Sequence, residues 1–373
     1  MSPDSVSFHP PPPFDAAEAL EEEVVKPLLD WFDRVGRDLP WRRTTSPWRT
    51  LVSEFMLQQT QVSRVEERFE AFLERFSSPA AMVEAGEDEV LAAWEGLGYY
   101  RRARFLHASA AVIVAEHGGL VPSDPRSLLA LPGVGRYTAG AIASIAFDRQ
   151  APIVDGNVAR VVARLAGLEV RADDPDLIEA SWAASTALVQ VTDRPGSLNE
   201  ALMELGATVC TPASPRCDRC PIESSCRGRA RGIEKEIPGP KSRPVRTVVH
   251  IHLVLVRRGG EVLFERRPSE GVWGGLWQPV GVESETELEP EVVAERLGSW
   301  MAPPIPLARV RRLLTHREVH LHLLEAMTPE GDPAVESELE TGWFGREEAA
   351  EIGCPKPVRN LLDRFGWPES RGG

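Results

Sequence analysis

Leu131-Pro-Gly-Val-Gly-Arg-Tyr-Thr-Ala-Gly140 is the stretch that decides the fold of this 373-residue chain. Pro132 ends a preceding helix, and Gly133 and Gly135 allow the backbone angles of a tight hairpin before a second helix begins near Arg136. A hairpin that leads into a helix N-terminus presents unpaired N–H groups, which suit a phosphate. The same residues also fit an ordinary turn between two helices, so the interpretation depends on the rest of the chain.

The composition is that of a globular protein with more than one domain and no membrane span. The net charge of −14 argues against a simple basic nucleic-acid-binding protein. Any DNA surface must therefore be local, and two groups of basic residues offer one, although each also fits a solvated face. The two groups are Arg101, Arg102 and Arg104, and Lys241, Arg243 and Arg246. Because the N-terminus lacks the pattern of a secretory signal, we expect a cytoplasmic protein.

Four of the five cysteines are clustered, with the spacing Cys-x6-Cys-x2-Cys-x5-Cys. Disulfides are not expected without a secretory signal, so four thiolates in a short segment predict a metal site. Their spacing alone leaves both a tetrahedral zinc and a [4Fe–4S] cluster open. The clustered residues are Cys210, Cys217, Cys220 and Cys226. Cys354 lies far off and is interpreted as a structural or surface thiol.

Apolar residues recur at helical spacing from about residue 24 to residue 230, which predicts an all-helical region. Ser46 followed by Pro47 predicts a helix start, and Glu54 lies on that helix at the border of its apolar face. Glu54 is either an ordinary solvated carboxylate or, among apolar and amide neighbours, an acid with a raised pKa. Asp155 and Asn157 precede a later helix, where they either cap it or carry chemistry.

Two loops interrupt the predicted helices. Leu39–Arg43 is predicted to be the first of them. The second is Gly96-Leu-Gly-Tyr-Tyr100, in which glycines flank two tyrosines that lie either in the core or on the surface, where they stack on bases.

The pattern changes after a proline-containing linker at residues 231–246. Apolar residues then alternate with polar ones at the period of a β-strand, which predicts a separate α+β domain. Four histidines follow this alternation, and we interpret them as a half-exposed sheet surface in preference to a metal site. They are His250, His252, His320 and His322.

Taken together, these motifs resemble the helix–hairpin–helix DNA glycosylases that carry an iron–sulfur cluster, and within them the MutY family of adenine glycosylases. The matching stretches are Pro40-Trp-Arg42, Ser53-Glu-Phe-Met-Leu-Gln-Gln-Thr-Gln-Val62, Gly96-Leu-Gly-Tyr-Tyr100, Leu131-Pro-Gly-Val-Gly135, Asp155-Gly-Asn157, Asn199-Glu200 and the four cysteines. The resemblance covers about residues 25–365, and it implies a [4Fe–4S] cluster at the cysteines in place of zinc.

The implied architecture is multidomain, with an all-α helix–hairpin–helix glycosylase core that contains a [4Fe–4S] subdomain, followed by an α+β Nudix-like domain. We expect five segments in chain order. They are a disordered tail (1–24), the glycosylase domain (25–230, cluster loop 210–226), a linker (231–246), the Nudix-like 8-oxoguanine recognition domain (247–366) and a tail (367–373).

The implied activity is that of a monofunctional base-excision repair glycosylase. It hydrolyses the N-glycosidic bond of adenine mispaired with 8-oxoguanine or guanine, and we expect a monomer that binds such duplex DNA, associates with the nucleoid and avoids membranes. The alternative is an endonuclease III-like glycosylase/lyase acting on oxidised pyrimidines, but Tyr137 stands where that enzyme has its lysine nucleophile.

Two further classes remain as hypotheses. One is a non-catalytic DNA-binding protein with a structural zinc site. The other is a Nudix hydrolase, which needs an Arg-Glu-x-x-Glu-Glu helix for Mg²⁺, and the scattered glutamates of residues 281–299 do not form that motif.

The resemblance also implies residue roles. Glu54 protonates adenine at N7, Asp155 stabilises or traps the positively charged sugar, and Tyr137 and Asn157 position Asp155 and the sugar. The implied adenine pocket consists of Arg37, Leu39, Trp41, Arg42, Val62 and Glu200. Contacts with DNA or 8-oxoguanine are implied for Gln59, Thr60, Leu97, Tyr99, Val134, Gly135, Thr315 and His316. Where the family often carries Phe-Ser-His, this chain has Leu314-Thr-His316, and the threonine keeps a hydroxyl.

Overall fold

The computed structural model describes residues 21–44, 46–242, 246–298, 302–326 and 339–367. Most of the predicted N-terminal tail, the C-terminal tail after Trp367, and Arg243 of the second basic group lie outside these residues. Within the described ranges, no helix has both the length and the apolar character needed to cross a bilayer.

Helices alone make up the regular secondary structure of the described chain before Thr247, as the helical periodicity predicts. In chain order they are α1 (Lys26–Val35), α2 (Pro40–Arg43), α3 (Pro47–Leu57), α4 (Val62–Glu66), α5 (Phe69–Arg75), α6 (Pro79–Ala85), α7 (Glu87–Ala93), α8 (Arg101–Glu116), α9 (Pro125–Ala130), α10 (Arg136–Ala141), α11 (Gly156–Ala166), α12 (Pro175–Gln190), α13 (Pro195–Thr208) and α14 (Arg227–Ala230). Short π-helical turns at Glu21–Val25 and Ile142–Ala146 precede α1 and extend α10.

The predicted loop at Leu39–Arg43 is wrong, because Pro40–Arg43 forms the short helix α2. Leu39 has extended backbone angles and Pro40 occupies the first helical position, where the fixed φ of proline favours a helix start.

The described residues form two compact units. The first contains the described chain through Ala81 together with Ala108–Ser242, and the second contains Met82–His107 with the described residues after 245. The second unit thus includes a helical segment that the predicted division assigns to the glycosylase domain. Within that unit, Tyr100 Oη donates to the Cys354 carbonyl at 3.2 Å, and Cys354 is fully buried, as a structural thiol should be.

The second unit contains two sheets. Their strands are β1 (Thr247–Leu255), β2 (Arg257–Arg258), β3 (Glu261–Arg266), β4 (Trp277–Pro279), β5 (Gly281–Ser284), β6 (Ile305–Leu313), β7 (Arg317–Glu325) and β8 (Thr341–Phe344). One sheet has the order β5-β1-β7-β6, in which only the β1–β7 pair is parallel. In the other, β3 pairs with β2, β4 and β8. Three helices accompany the sheets: α15 (Pro290–Leu297), α16 (Arg346–Glu351) and α17 (Lys356–Phe365).

The four histidines of β1 and β7 lie side by side on one face of the first sheet, since Ile251 and Leu321 between them enter the apolar core. The predicted half-exposed surface is wrong for His252 and His322, which are 1% and 6% exposed. The segment that follows β5 contacts this face, where the Leu288 N–H donates to His252 Nε2 at 3.0 Å. Burial lowers the pKa of His322 to about 4, so that the ring is neutral at physiological pH.

Candidate active site

Glu54 lies near the end of α3, a helix whose start is built as the sequence predicts. Ser46 accepts a hydrogen bond from the Arg49 N–H at 3.3 Å, and Pro47 occupies the first turn. Glu54 is 5% exposed, so the interpretation as a solvated carboxylate is wrong. Burial raises the pKa of the Glu54 carboxyl to about 7, although the Tyr137 hydroxyl acts to lower it.

Tyr137 reaches Glu54 from α10, the helix that follows the glycine hairpin. Gly133 has the predicted left-handed backbone, with φ of +74°. Gly140 lets α10 pack directly on the chain before Asp155, since a Cβ at this position would lie 2.2 Å from the Pro152 carbonyl oxygen. The Tyr137 hydroxyl donates to Met203 Sδ at 3.2 Å, and it also acts on Glu54, where it lowers the pKa of the carboxyl.

Asp155 is both the helix cap and the second carboxylate near Glu54. Its Oδ1 accepts the backbone N–H groups of Asn157 and Val158 at 2.9 and 2.7 Å, which starts α11. Its Oδ2 accepts the Asn157 side-chain amide at 2.9 Å. Three N–H donors therefore hold one carboxylate whose charge acts on Glu54. The capping role and the proposed chemical role are compatible, because the cap orients the carboxylate.

Asn157 is held in turn by Arg160, whose Nη2 donates to Asn157 Oδ1 at 2.8 Å. The same guanidinium donates to the carbonyls of Gly206 and Cys210 at 2.9 and 2.8 Å. A continuous set of hydrogen bonds thus joins Asp155 to the first clustered cysteine. The sequence analysis did not identify Arg160, although its position one helical turn after Asn157 is a usable signal.

Two arginines and two glutamates form the polar part of the predicted adenine pocket. Arg42 donates to Glu200 at 2.8 Å and to Glu204 at 3.0 Å, and Arg37 binds Glu204 through two bonds of 2.7 and 3.0 Å. Burial opposes ionisation of Glu204, but the hydrogen bond from Arg37 and the charge of Arg42 outweigh it and lower the pKa of this carboxyl. Glu204 is a site residue that the sequence analysis missed, and its signal is the i,i+4 spacing from Glu200.

For the apolar residues of the predicted pocket, the structure gives their burial and one aromatic contact. Leu39 is buried, and Trp41 packs edge-on against Phe69 with ring centroids 5.6 Å apart. Val62 begins α4 and is half-buried.

Two predicted DNA contacts occupy strained turns. Gln59, with Thr60 beside it, is exposed at φ of +55°, and Tyr99 is 49% exposed at φ of +50°. Left-handed backbone is uncommon for such residues, and it occurs preferentially at functional sites.

Tyr99 belongs to the loop between α7 and α8, which Arg102 supports from within. Arg102 is buried and donates to the carbonyls of Leu97 and Gly98 at 3.2 and 2.9 Å, so it is neither a solvated face nor a free DNA contact. Tyr100 is buried, whereas the adjacent Tyr99 is not. The two tyrosines therefore divide between the alternatives that the sequence left open. Leu97 is 3% exposed.

Thr315 and His316 form the exposed tip of the β6–β7 hairpin, in the same unit as Tyr99. The Tyr99 hydroxyl lies 2.7 Å from Thr315 Oγ1, so the two predicted recognition residues share a hydrogen bond.

At the glycine hairpin, the Val134 N–H is bonded to the Leu131 carbonyl at 3.1 Å and its side chain is buried. Gly135 is the exposed N-cap of α10.

The four clustered cysteines line one cavity. None forms a disulfide. Arg164 stabilises the cavity wall, since its Nη1 lies 3.3 Å from Cys210 Sγ and its carbonyl accepts the Cys226 thiol at 3.3 Å.

The chain is similar to known proteins over most of its length. Residues 52–184 match the model of the HhH-GPD superfamily base excision DNA repair proteins, and residues 251–364 match the NUDIX domain model. The chain is 35% identical over 368 residues to the human adenine DNA glycosylase, with 81% of this chain and 67% of the relative covered. It is 50% identical over 207 residues to the adenine DNA glycosylase of Mycolicibacterium smegmatis, with 55% and 69% covered.

Among solved structures, that of a thermostable thymine-DNA glycosylase aligns with a TM-score of 0.53 and 28% identity, covering 58% of this chain and 100% of the other. With two neighbouring carboxyl groups and a glycine hairpin assembled in one helical unit, this chain belongs to the adenine DNA glycosylase family of base-excision repair enzymes.

Proposed function

We propose that this glycosylase removes adenine mispaired with 8-oxoguanine or guanine, with Glu54 as the acid and Asp155 as the charge-stabilising carboxylate. The observation that carries this proposal is the contrast between two neighbouring carboxyl groups. Burial raises the pKa of Glu54 to about 7, so much of this carboxyl is protonated at neutral pH. Three N–H donors bind the carboxylate of Asp155. Glycosidic cleavage uses one carboxyl as an acid and one as a carboxylate.

In the proposed reaction, the target adenine leaves the base stack at a cost of a few kcal/mol. Glu54 gives its proton to adenine N7, and the C1′–N9 bond then breaks with its electron pair moving to the base. The carboxylate of Asp155 stabilises the positive charge on the sugar. Water adds to C1′, and its proton returns to Glu54, which restores the starting state.

Tyr137 and Asn157 act as positioning residues in this proposal. The Tyr137 hydroxyl tunes the pKa of Glu54, and the Asn157 amide holds Asp155. A tyrosine cannot form a Schiff base, so we propose a monofunctional glycosylase without strand cleavage.

The adenine would lie against Arg37, Leu39, Trp41, Arg42, Val62 and Glu200. Support comes from the ion pairs of Arg42 and Glu200, which present hydrogen-bonding groups close to Glu54. Glu204 keeps both arginines in place.

On the DNA side, we propose that Gln59 and Tyr99 fill the vacated stack, and that Thr60, Leu97, Thr315 and His316 meet the 8-oxoguanine. The exposed, left-handed turns of Gln59 and Tyr99 support the first assignment. Because Leu97 is buried, its contribution is a contact from the loop backbone. A phosphate would lie at the hairpin of Val134 and Gly135, with Gly135 as the first available amide, since that of Val134 is already bonded.

At Cys210, Cys217, Cys220 and Cys226 we propose a [4Fe–4S] cluster. The four cysteines line one cavity, and the resemblance of their spacing to that of the family favours the cluster over a tetrahedral zinc. When bound, the cluster would join the chain after α13 to the start of α14, and no catalytic step requires it. Iron and acid-labile sulfide analysis of the brown protein tests this assignment.

A single-turnover assay tests the activity. The parent should release adenine from a duplex with adenine opposite 8-oxoguanine, more slowly from adenine opposite guanine, and not from adenine opposite thymine. Glu54→Gln should abolish release while DNA binding persists. Release of an oxidised pyrimidine with a borohydride-trapped Schiff base would instead identify the endonuclease III-like alternative.

A further inference from the structure

The sheet face of β1 and β7 that is turned away from the apolar core carries an array of four imidazoles. In the parallel register, His250 lies beside His320 and His252 beside His322, with ring centroids 4.8 and 4.4 Å apart. The rings within each pair are stacked, with interplanar angles of 19° and 10°. The proposed glycosylase mechanism uses none of these side chains, which all lie in the second unit.

Three donors converge at one end of this array from three separate segments. His250 comes from β1, His322 from β7 and Glu287 from the segment after β5, and one ligand atom from each lies within 4.8 Å of the other two. His250 Nδ1 is 3.0 Å from His322 Nε2, and the other ring nitrogen, His322 Nδ1, is 3.9 Å from Glu287 Oε1. Only one of these two His322 nitrogens can bind the ion. Among the residues that the structure describes, no other set of three His, Cys, Asp or Glu side chains is so close.

The remaining histidines have different surroundings. His320 Nε2 bonds Glu318 at 2.8 Å, and Glu318 is also paired with Arg311, so His320 is directed away from the three donors. His252 Nε2 accepts the Leu288 N–H, while its Nδ1 is buried without a hydrogen-bond partner in the described structure. Hydrogen bonds among the histidines and their neighbours therefore do not satisfy every buried ring nitrogen of the array.

We propose that His250, His322 and Glu287 bind a divalent transition-metal ion of the zinc type, with water as the fourth ligand. Neutral imidazoles and a carboxylate are a common zinc donor set, and bonds of about 2.0–2.2 Å require donor atoms about 3.3 Å apart. The three ligand atoms now lie within 4.8 Å of one another, so side-chain adjustment must bring them closer by up to about 1.5 Å. The ion would connect β1, β7 and the segment after β5, and so stabilise the sheet whose β6–β7 tip carries Thr315.

One cation already competes for this position. Arg309, which lies opposite His322 in the β6–β7 register, is paired with Glu287. The metal must displace the guanidinium from the carboxylate, and loss of Arg309 should therefore tighten metal binding. A purely structural histidine array predicts no such gain.

Zinc titration of the full-length protein with its iron content in place tests the proposal. Zinc uptake at buffered free Zn²⁺ and iron content should be measured together, so that metal at the cysteines is counted separately. The parent should bind one additional zinc per chain. Glu287→Gln and His250→Gln should each weaken that binding by about tenfold or more, while His320→Gln, the matched control from the same array, should retain it. Arg309→Gln should bind several-fold more tightly.

Unfolding provides a second readout that does not depend on glycosylase activity. Saturating zinc should raise the melting temperature of the parent and of His320→Gln but not that of Glu287→Gln, whose half-exposed side chain can change without loss of the fold. The proposal is overturned if the parent binds no zinc beyond the cysteine site, or if Glu287→Gln and His250→Gln take up zinc as the parent does. If His320→Gln loses zinc binding to the same extent as these two variants, the choice of ligands is wrong.

Discussion

The hydroxyl of Tyr137 lowers the pKa of the buried Glu54 carboxyl and so opposes the rise in pKa that burial causes. With a pKa of about 7, Glu54 is about half protonated at pH 7 and loses its proton as the pH rises further. The two carboxyl groups of the proposed active site thus differ in their surroundings: Glu54 is buried beside the Tyr137 hydroxyl, whereas Asp155 accepts three N–H groups.

We expect the single-turnover rate of adenine release to be constant below about pH 7 and to fall above it, because the deprotonated Glu54 has no proton to give. Tyr137→Phe removes the hydroxyl that favours the ionised form of Glu54, so the pKa of Glu54 should rise and the fall in rate should move to higher pH. Rate constants measured from pH 5.5 to 9 check this. If the rate falls at the same pH in both proteins, the ionisation that controls the rate is not that of Glu54.

The same group predicts a pH-dependent stability. A carboxyl whose pKa rises from 4.5 unfolded to about 7 folded destabilises the fold progressively between these values, and fully above pH 7. The free energy of unfolding of Glu54→Gln, relative to that of the parent, should therefore be about 2 kcal/mol higher at pH 8 than at pH 5. Denaturant unfolding at the two pH values measures the difference, and an equal effect at both would contradict the raised pKa.

Asp155→Asn separates the cap of α11 from the charge. Asparagine caps a helix as well as aspartate does, so the variant should fold and bind DNA. Loss of the negative charge opposite the developing sugar cation should slow adenine release by about 100-fold or more. Melting temperature and DNA affinity serve as controls. A variant that unfolds would assign Asp155 a mainly structural role, and one that retains its rate would remove it from the mechanism.

Glu204→Gln tests the arginine network of the proposed adenine pocket. Glu204 is 1% exposed and binds both Arg37 and Arg42, so loss of its charge leaves two guanidinium groups with poorer partners. We expect a loss of about 3 kcal/mol in unfolding free energy, together with slower adenine release. Glu179→Gln, an exposed glutamate on α12, is the matched control and should behave as the parent. A neutral result for Glu204→Gln would show that solvent compensates both arginines.

The limits of sequence-based prediction follow from what each residue depends on. Ser46, Pro47, Gly133 and Asp155 act within a few residues of chain, and their capping and turn roles could be predicted from sequence. Burial of Glu54 depends on packing from helices distant in sequence, so sequence left two interpretations open.

Contacts between residues far apart in sequence could not be predicted from the sequence pattern. The hydrogen bonds of Glu204 to Arg37 join residues 167 positions apart. Burial of His252 and His322 depends on the segment after β5, and strand alternation alone carries no information about such a cover. The short helix at Pro40–Arg43 was missed because four residues are too few for helical periodicity.

The bond between Tyr99 and Thr315 predicts how this enzyme tolerates threonine where its family often has serine. The two oxygens lie 2.7 Å apart, so the hairpin tip and the α7–α8 loop hold each other in place within the second unit. Thr315→Ser retains the hydroxyl and should keep the preference for adenine opposite 8-oxoguanine over adenine opposite guanine. Thr315→Val has nearly the same shape without the hydroxyl, and should reduce this preference by about tenfold, the loss of one hydrogen bond.

Tyr99→Phe should reproduce the effect of Thr315→Val, and the double variant should add little, because both single changes remove the same bond. Single-turnover rates on the two duplexes, compared in a double-mutant cycle, measure the coupling. If Thr315→Val lowers both rates equally, the hydroxyl stabilises the hairpin tip without reading the oxidised base. If the two single variants are additive, the 2.7 Å contact carries no energetic coupling, and Thr315 and Tyr99 act on the DNA separately.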